Sequence, residues 1–366
     1  MVFPDLFTSI SGEKIDTEEK WESFRREEIR ALFTEHVYGR APIGRPIDLS
    51  FEVRKNEGYA GRAVVMKEII ISFSGYSFKV LGFVPSVGKK VPAFVYIMHE
   101  FEEKNCDLKN DPECEYVPVL DITARGYAVF VMYTSGICPD FDSNSDYREG
   151  VYRVLGPARE ARRGDDWATI SAWGWGASRV MDYLETDGDI DLSHVSVGGH
   201  SRGGKTALWC AANDTRFAMA VSNASGCMGA SVLRGKTGEH IADINRTDWF
   251  CENFRRYNRH EEMLPVDQHM LIALIAPRLV YIESCSRDDW ADPLNERLSC
   301  REASGVYEKF YGIKGAVLPD EPIEANTAYH DGSIGYHMKT ADHCITPYDW
   351  KMYMDFWDKK QKEQNI

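Results

Sequence analysis

Five consecutive residues, Gly199-His200-Ser201-Arg202-Gly203, have the types and spacing of an activated serine. A serine hydroxyl attacks a carbonyl only if a base takes its proton and hydrogen-bond donors receive the charge that develops on the carbonyl oxygen. G-x-S-x-G supplies the geometry: small residues let a strand turn sharply into a helix, the turn lifts Ser201 above the sheet edge, and the backbone N–H of Arg202 lies at the positive end of the helix. The pattern is short enough to arise by chance, and the competing reading is a glycine-rich turn with no chemistry. Its setting favours the nucleophile, because an apolar run at 194–197 precedes it and a helical stretch begins near Lys205.

An elbow serine needs a base and an acid, which in this architecture follow it in the order Ser, Asp or Glu, His. After the last expected strand come His330, His337 and His343. His343, in "TADHCITPYDW", occupies a loop just before the final helix, where an imidazole can swing over the sheet edge. His337 is the fallback, its alternative being a packed surface histidine. For the acid, "VYIESCSRDDWADP" places Glu283, Asp288, Asp289 and Asp292 just after a strand expected at 279–282. Asp288 is the first choice and Asp289 the second, against the alternative of a solvated acidic loop with Asp292-Pro293 making a turn.

Other chemistries fare worse. His99-Glu100 lacks the second histidine of H-E-x-x-H, no Walker loop is present, and Asp267-Gln268-His269 runs into an apolar stretch and reads as a helix start. The nine cysteines are scattered without a C-x-x-C pair or a spacing that suggests zinc. Their default state is free thiols in a reducing compartment, with one or two disulfides in an exported form. A net charge of −14 spread along the 366 residues disfavours a polyanionic partner, so no nucleic acid is expected. No apolar run is long enough to span a bilayer, so no membrane partner is expected either. Met1–Asp5 lacks the basic start and apolar centre of a signal peptide, and the chain as written reads as cytoplasmic or as a trimmed, secreted mature form.

The elements that must position these residues follow from periodicity. Asp16-Thr17-Glu18-Glu19 resembles a capping box, and Trp21, Phe24, Leu32 and Phe33 then recur at helical spacing until Gly39. Strands are expected at 49–53, 68–73, 78–84, 92–98, 127–133, 195–197, 218–221 and 279–282, with a helix over 167–184. Neighbouring early strands give way to strands alternating with helices, which predicts an α/β mixed sheet with parallel character. One catalytic domain over 1–366 is expected, with an N-terminal helical extension at 1–45 and an insertion near the active site at 226–270.

Taken together, "HVYGRAP" at 36–42, "SAWGWGASRVMDYLETD" at 171–187, "GHSRGGKTALW" at 199–209, "SNASGCMGA" at 222–230, "LPVDQHMLIALIAPR" at 264–278, "DDWADP" at 288–293 and "TPYDW" at 346–350 make the chain resemble the bacterial glucuronoyl esterases of carbohydrate esterase family 15. The resemblance implies the α/β-hydrolase fold, a three-layer αβα sandwich around a mixed, mostly parallel sheet. It also implies cleavage of 4-O-methyl-glucuronoyl esters that join glucuronoxylan to lignin alcohols, without metal or cofactor. Carried over by position, Ser201 is the nucleophile, His343 the base and Asp288 the acid, while Arg202 assists the oxyanion through side chain and backbone. Lys205 and Glu239 bind the sugar, and Trp290 contacts the uronate at the pocket rim. Without the resemblance, Lys205 reads as a helix-surface charge, Glu239 as a turn residue and Trp290 as core packing. Many members carry a glutamate on the loop after strand six where this chain has Ala224, so the acid must come from the strand-seven loop. His200 stands where fungal members have cysteine, and the loop 99–114 is more acidic than in many bacterial members.

Two other readings stay open. A deacetylase acting on acetylated xylan or other carbohydrate needs the same triad but a different acyl group, and a catalytically silent carbohydrate-binding relative would keep the fold alone. A peptidase is a weaker third, since nothing suggests the propeller or cap such enzymes carry.

Overall fold

The computed structural model describes residues 2–140, 147–245, 248–320 and 323–364. Ten strands form one sheet: β1 (Ser50–Asn56), β2 (Val64–Phe73), β3 (Tyr76–Pro85), β4 (Val91–Met98), β5 (Ala128–Tyr133), β6 (Ile190–His200), β7 (Met219–Asn223), β8 (Leu279–Cys285), β9 (Ala328–Tyr329) and β10 (Ile334–Lys339), in the spatial order β1-β2-β3-β5-β4-β6-β7-β8-β10-β9. β1, β2, β3 and β5 pair antiparallel, β5 through β10 along the sheet centre pair parallel, and β9 closes the far edge antiparallel. The mixed, mostly parallel sheet expected from the alternation of elements is thus present.

The central strands are apolar on both faces because both faces are covered. Along β4, Val95 and Ile97 enter one core, while Phe94, Tyr96 and Met98 enter the other. The first core lies under the helices Thr169–Leu184, Arg202–Asn213 and Pro293–Tyr311, and the second under Val119–Ala124 and Pro347–Gln364. Because side chains alternate with period two, a one-residue slip would exchange the two sets and bury the wrong ones.

Thr17 caps the N-terminal helical run, its hydroxyl accepting the Lys20 N–H at 3.2 Å, and Gly39, at φ 80°, ends it. Trp21 and Phe33 are buried, and Trp21 stacks on Phe310 with centroids 5.7 Å apart; Phe24, expected on the same face, is 40% exposed. It stands three positions from Trp21, and the wider π turn Trp21–Arg25 rotates it outward. The helix expected from Trp167 begins at Thr169, after a fully buried Trp167. The segment 226–270 contributes no strand among its described residues, only short helices and turns.

Candidate active site

The elbow is built by contact distances that only glycine permits. A Cβ on Gly203 would sit 2.6 Å from the carbonyl oxygen of Ile97, and one on Gly199 would sit 2.5 Å from the carbonyl carbon of Gly203. β6 therefore turns into the helix Arg202–Asn213 within one residue. Ser201 holds the strained conformation φ 54°, ψ −123°, fixed by its N–H bond to the Asn223 carbonyl at 2.8 Å. Such strain persists only where the surroundings impose it, and the Ser201 side chain makes no cap bond to the helix that follows it.

His343 and Asp288 meet as expected: His343 Nδ1 lies 2.6 Å from Asp288 Oδ2, although 55 residues separate them. The histidine side chain is 43% exposed and the carboxylate is buried. Burial opposes the charge on Asp288, but the hydrogen bond and charge of His343, with the Ala291 N–H, hold its carboxyl below the usual range. An ionised acid behind Nδ1–H leaves Nε2 as the basic nitrogen. Behind the base lies His200, its ring centroid 4.5 Å from that of His343. His200 is kept neutral by burial and by the nearby histidines, and its Nδ1 pairs with Asn223 Oδ1 at 2.6 Å.

The second choices have other duties. Asp289 is exposed. Glu283 is fully buried beside Lys339 Nζ at 3.4 Å, and Asp292 caps the helix Pro293–Tyr311 by accepting the Asn295 N–H. His337 is not a surface histidine as anticipated but wholly buried, with Nε2 2.9 Å from Asp349 and Nδ1 3.1 Å from the Tyr281 hydroxyl. Glu283, His337 and Asp349 are close enough to share an ion, yet the Lys339 ammonium contacts both carboxylates and fills the place a cation would take.

Beside the elbow, Lys205, Glu239 and Trp290 form a chain. Lys205 Nζ donates to the carbonyls of Ser225 at 2.7 Å and Cys227 at 2.6 Å, and to Glu239 Oε2 at 3.2 Å; the Trp290 indole N–H donates to Glu239 Oε1 at 3.1 Å. Lys205 is buried rather than a surface charge, and Trp290 is 56% exposed rather than core. Glu239 arrives there because the chain at Gly238 passes so close to the 288–292 loop that a Cβ would lie 2.2 Å from the Asp289 carbonyl oxygen. The Glu239 N–H then donates to the Trp290 carbonyl at 2.8 Å.

The Arg202 guanidinium, expected to face the oxyanion, is braced by two residues that spacing gave no reason to connect. It forms an ion pair with Asp140 and lies 5.0 Å from the ring of Trp249, whose indole N–H donates to the same Asp140 at 2.6 Å. Asp140 in turn donates its N–H to Glu100 Oε1 at 3.1 Å, which ties the acidic segment after β4 to the site. Sequence reading also missed the disulfide Cys106–Cys114 in that segment; the default of nine free thiols is corrected there. A cavity of about 620 Å³ between the helices Thr169–Leu184 and Arg202–Asn213 holds none of the triad, and its Arg179 and Arg216 are paired with Asp182.

The family model for glucuronyl esterase of fungi matches residues 122–311. Carbohydrate esterase MZ0003 from an unknown prokaryotic organism is 36% identical over 97% of this chain and 88% of its own length. The 4-O-methyl-glucuronoyl methylesterase of Schizophyllum commune is 27% identical over 83% of this chain and 72% of the relative. Among solved structures, a promiscuous CE15 esterase from a marine bacterial metagenome superposes with a TM-score of 0.85 at 35% identity, covering 98% of this chain and 96% of that one. The glucuronoyl esterase from Solibacter usitatus gives 0.86 at 31% identity, covering 98% and 97%. The sheet and its flanking helices are those of the α/β-hydrolase fold, and the chain belongs to the glucuronoyl esterases of carbohydrate esterase family 15.

Proposed function

We infer that the protein is a carboxylic ester hydrolase that cleaves 4-O-methyl-glucuronoyl esters of glucuronoxylan, using Ser201, His343 and Asp288. The observation that carries this reading is the 2.6 Å bond between His343 and Asp288 beside a strained elbow serine, next to a buried Lys205–Glu239 pair with an exposed tryptophan at its rim.

In the first step His343 Nε2 takes the Ser201 proton as Oγ attacks the ester carbonyl. The backbone N–H of Arg202, first in its helix and without an intrahelical acceptor, receives the oxyanion, and the guanidinium adds a fixed positive charge that Asp140 and Trp249 hold in place. The imidazolium then protonates the departing alcohol. Water, deprotonated by His343, attacks the acyl-enzyme and releases the uronate while Ser201 regains its proton. Lys205 and Glu239 supply a donor and an acceptor for sugar hydroxyls. The 3.2 Å bond between them is the longest of the three made by Lys205 and the one a hydroxyl can replace. Trp290 offers a face for the sugar ring.

Hydrolysis of a methyl or benzyl glucuronate, set beside an acetylated xylose and run with wild type and Ser201→Ala, tests this reading. Serine-dependent cleavage of the uronate ester with little deacetylation is expected; cleavage of the acetyl ester alone would keep the triad and remove the uronate assignment. The acetyl arm matters because one relative is described as promiscuous. Among the described residues no helix is long and apolar enough to cross a membrane. The Cys106–Cys114 disulfide supports the exported alternative over a cytoplasmic one, since such bonds persist in oxidising compartments.

A further inference from the structure

Two cysteines flank the triad at the points where its acid and base leave the sheet. Cys285 is the last residue of β8, three positions before Asp288, and Cys344 directly follows His343. Cys285 Sγ lies 3.7 Å from the Cys344 carbonyl oxygen and 3.4 Å from Glu283 Oε1, which places the two cysteines side by side. Of the seven free cysteines, only Cys344 is not buried. Cys138, Cys210, Cys227, Cys251 and Cys300 sit in apolar surroundings that push their thiols up, which makes them inert. Cys344 is shifted the other way, by the hydrogen bond from Cys285 and then, against partial burial, by the charges of Lys339 and His343. Lys339 is anchored there, its Nζ donating to the Cys344 carbonyl at 2.8 Å. An accessible, thiolate-prone cysteine with a second thiol against it is the arrangement that captures oxidants and resolves them to a disulfide. Cys106–Cys114 adds independent support, because a chain that carries one disulfide works where a second can form.

We propose that Cys285 and Cys344 are an oxidative modification site, closing a second disulfide that clamps the Asp288 loop to the His343 loop. The oxidant is a low-molecular-weight disulfide of the glutathione class. The Cys344 thiolate attacks one of its sulfurs, breaks the S–S bond and expels one thiolate, leaving a mixed disulfide. Cys285 is buried and its own thiol is pushed up, so its proton passes to the departing small thiolate as its sulfur attacks the Cys344 sulfur, and the second small molecule leaves as a thiol. Two protein thiols are oxidised to one disulfide, and one small disulfide is reduced to two thiols. The link holds base and acid in register and constrains the unfolded chain between them.

The test uses the full chain treated with glutathione disulfide at mildly alkaline pH, residual thiols blocked by N-ethylmaleimide, then digestion without reductant and mass spectrometry. A peptide pair joined through Cys285 and Cys344 is expected, absent in Cys344→Ser. Cys285→Ser should stall as the Cys344–glutathione adduct; if that buried replacement does not fold, the Cys344→Ser comparison stands alone. Oxidised wild type should also keep its esterase activity at elevated temperature about tenfold longer than Cys344→Ser treated in the same way. N-ethylmaleimide on both Cys285 and Cys344 while Cys106 and Cys114 remain linked would overturn the proposal, as would an adduct on wild-type Cys344 that never resolves. The peptide readout needs no substrate, so it succeeds or fails independently of the assigned esterase activity.

Discussion

Two histidine–aspartate pairs sit near the carboxyl ends of β8 and β10, and their surroundings differ sharply. His343 and Asp288 are 2.6 Å apart, His337 and Asp349 are 2.9 Å apart, and both histidines follow Ser201 in the chain. The difference lies in what surrounds the second nitrogen. His343 has one nitrogen on its carboxylate and an exposed flank, so the other can exchange protons with substrate. His337 has both nitrogens committed, to Asp349 and to Tyr281, and burial holds it neutral. Asp349 also takes the Lys339 ammonium and the Thr346 N–H and hydroxyl, so its pair belongs to a charge network that fastens β10 to the last helix. A His–Asp distance alone identifies neither a triad nor a structural knot; the free nitrogen does.

Exchanging the members of each pair separates the two roles. His343→Ala should lower kcat on a glucuronate ester by a factor on the order of 10⁵ with the urea unfolding midpoint unchanged. Asp288→Asn should lower it by about 10³ to 10⁴, because the amide no longer holds the Nδ1–H tautomer. Asp349→Asn should leave the chemistry of the folded fraction intact and destabilise the protein by about 3 kcal/mol, since Lys339 then loses its nearer carboxylate inside the core. Denaturant titration reads that loss, and an Asp349→Asn protein that folds normally but has lost catalysis would merge the two roles again. Trp290→Ala, at the rim, should raise KM about tenfold with kcat little changed, as steady-state kinetics would show.

How much of this was legible in the chain follows the same division. The elbow is local and needs only glycines beside a strand and a helix, so Ser201 and its geometry could be read directly. His343 and Asp288 followed from chain order and from loop positions after a strand and before the final helix. β10 escaped notice because Ile334–Lys339 buries a glycine, a histidine and a lysine, whose partners at Glu283, Asp349 and Tyr281 satisfy them only in the folded sheet. Hydrophobic periodicity carries no sign of such a strand. The brace on Arg202 was equally silent, because Asp140 and Trp249 come from two separate loops. Lys205, Glu239 and Trp290 were named through family resemblance alone; what joins them is the close passage at Gly238, which no spacing rule encodes.

Another histidine–carboxylate pair sharpens the contrast through the pH dependence of stability. His99 Nε2 lies 3.5 Å from Glu102 Oε2, fully inside the protein. Burial, then the charges of Arg202 and His343, pushes His99 down to about 3, and burial raises Glu102 to about 8 despite its bonds from the Tyr96 hydroxyl at 2.5 Å and the His99 N–H at 3.1 Å. At neutral pH this is a pair of uncharged groups, whereas Lys339 keeps Asp349 ionised. The sign of its effect on stability follows from proton counts. Between the ordinary carboxyl value of 4.5 and about 8, the unfolded chain releases the Glu102 proton while the folded chain retains it. Its contribution is therefore fully present below that range and is lost as pH rises through it. Glu102→Gln keeps an acceptor for the His99 N–H and has no proton to lose, so wild type should lose stability relative to this variant by up to about 1.4 kcal/mol per pH unit between about pH 5 and 8. Urea unfolding of both proteins across that range measures the difference. Parallel stability curves would mean that Glu102 is ionised in the fold, as Asp349 and Asp288 are.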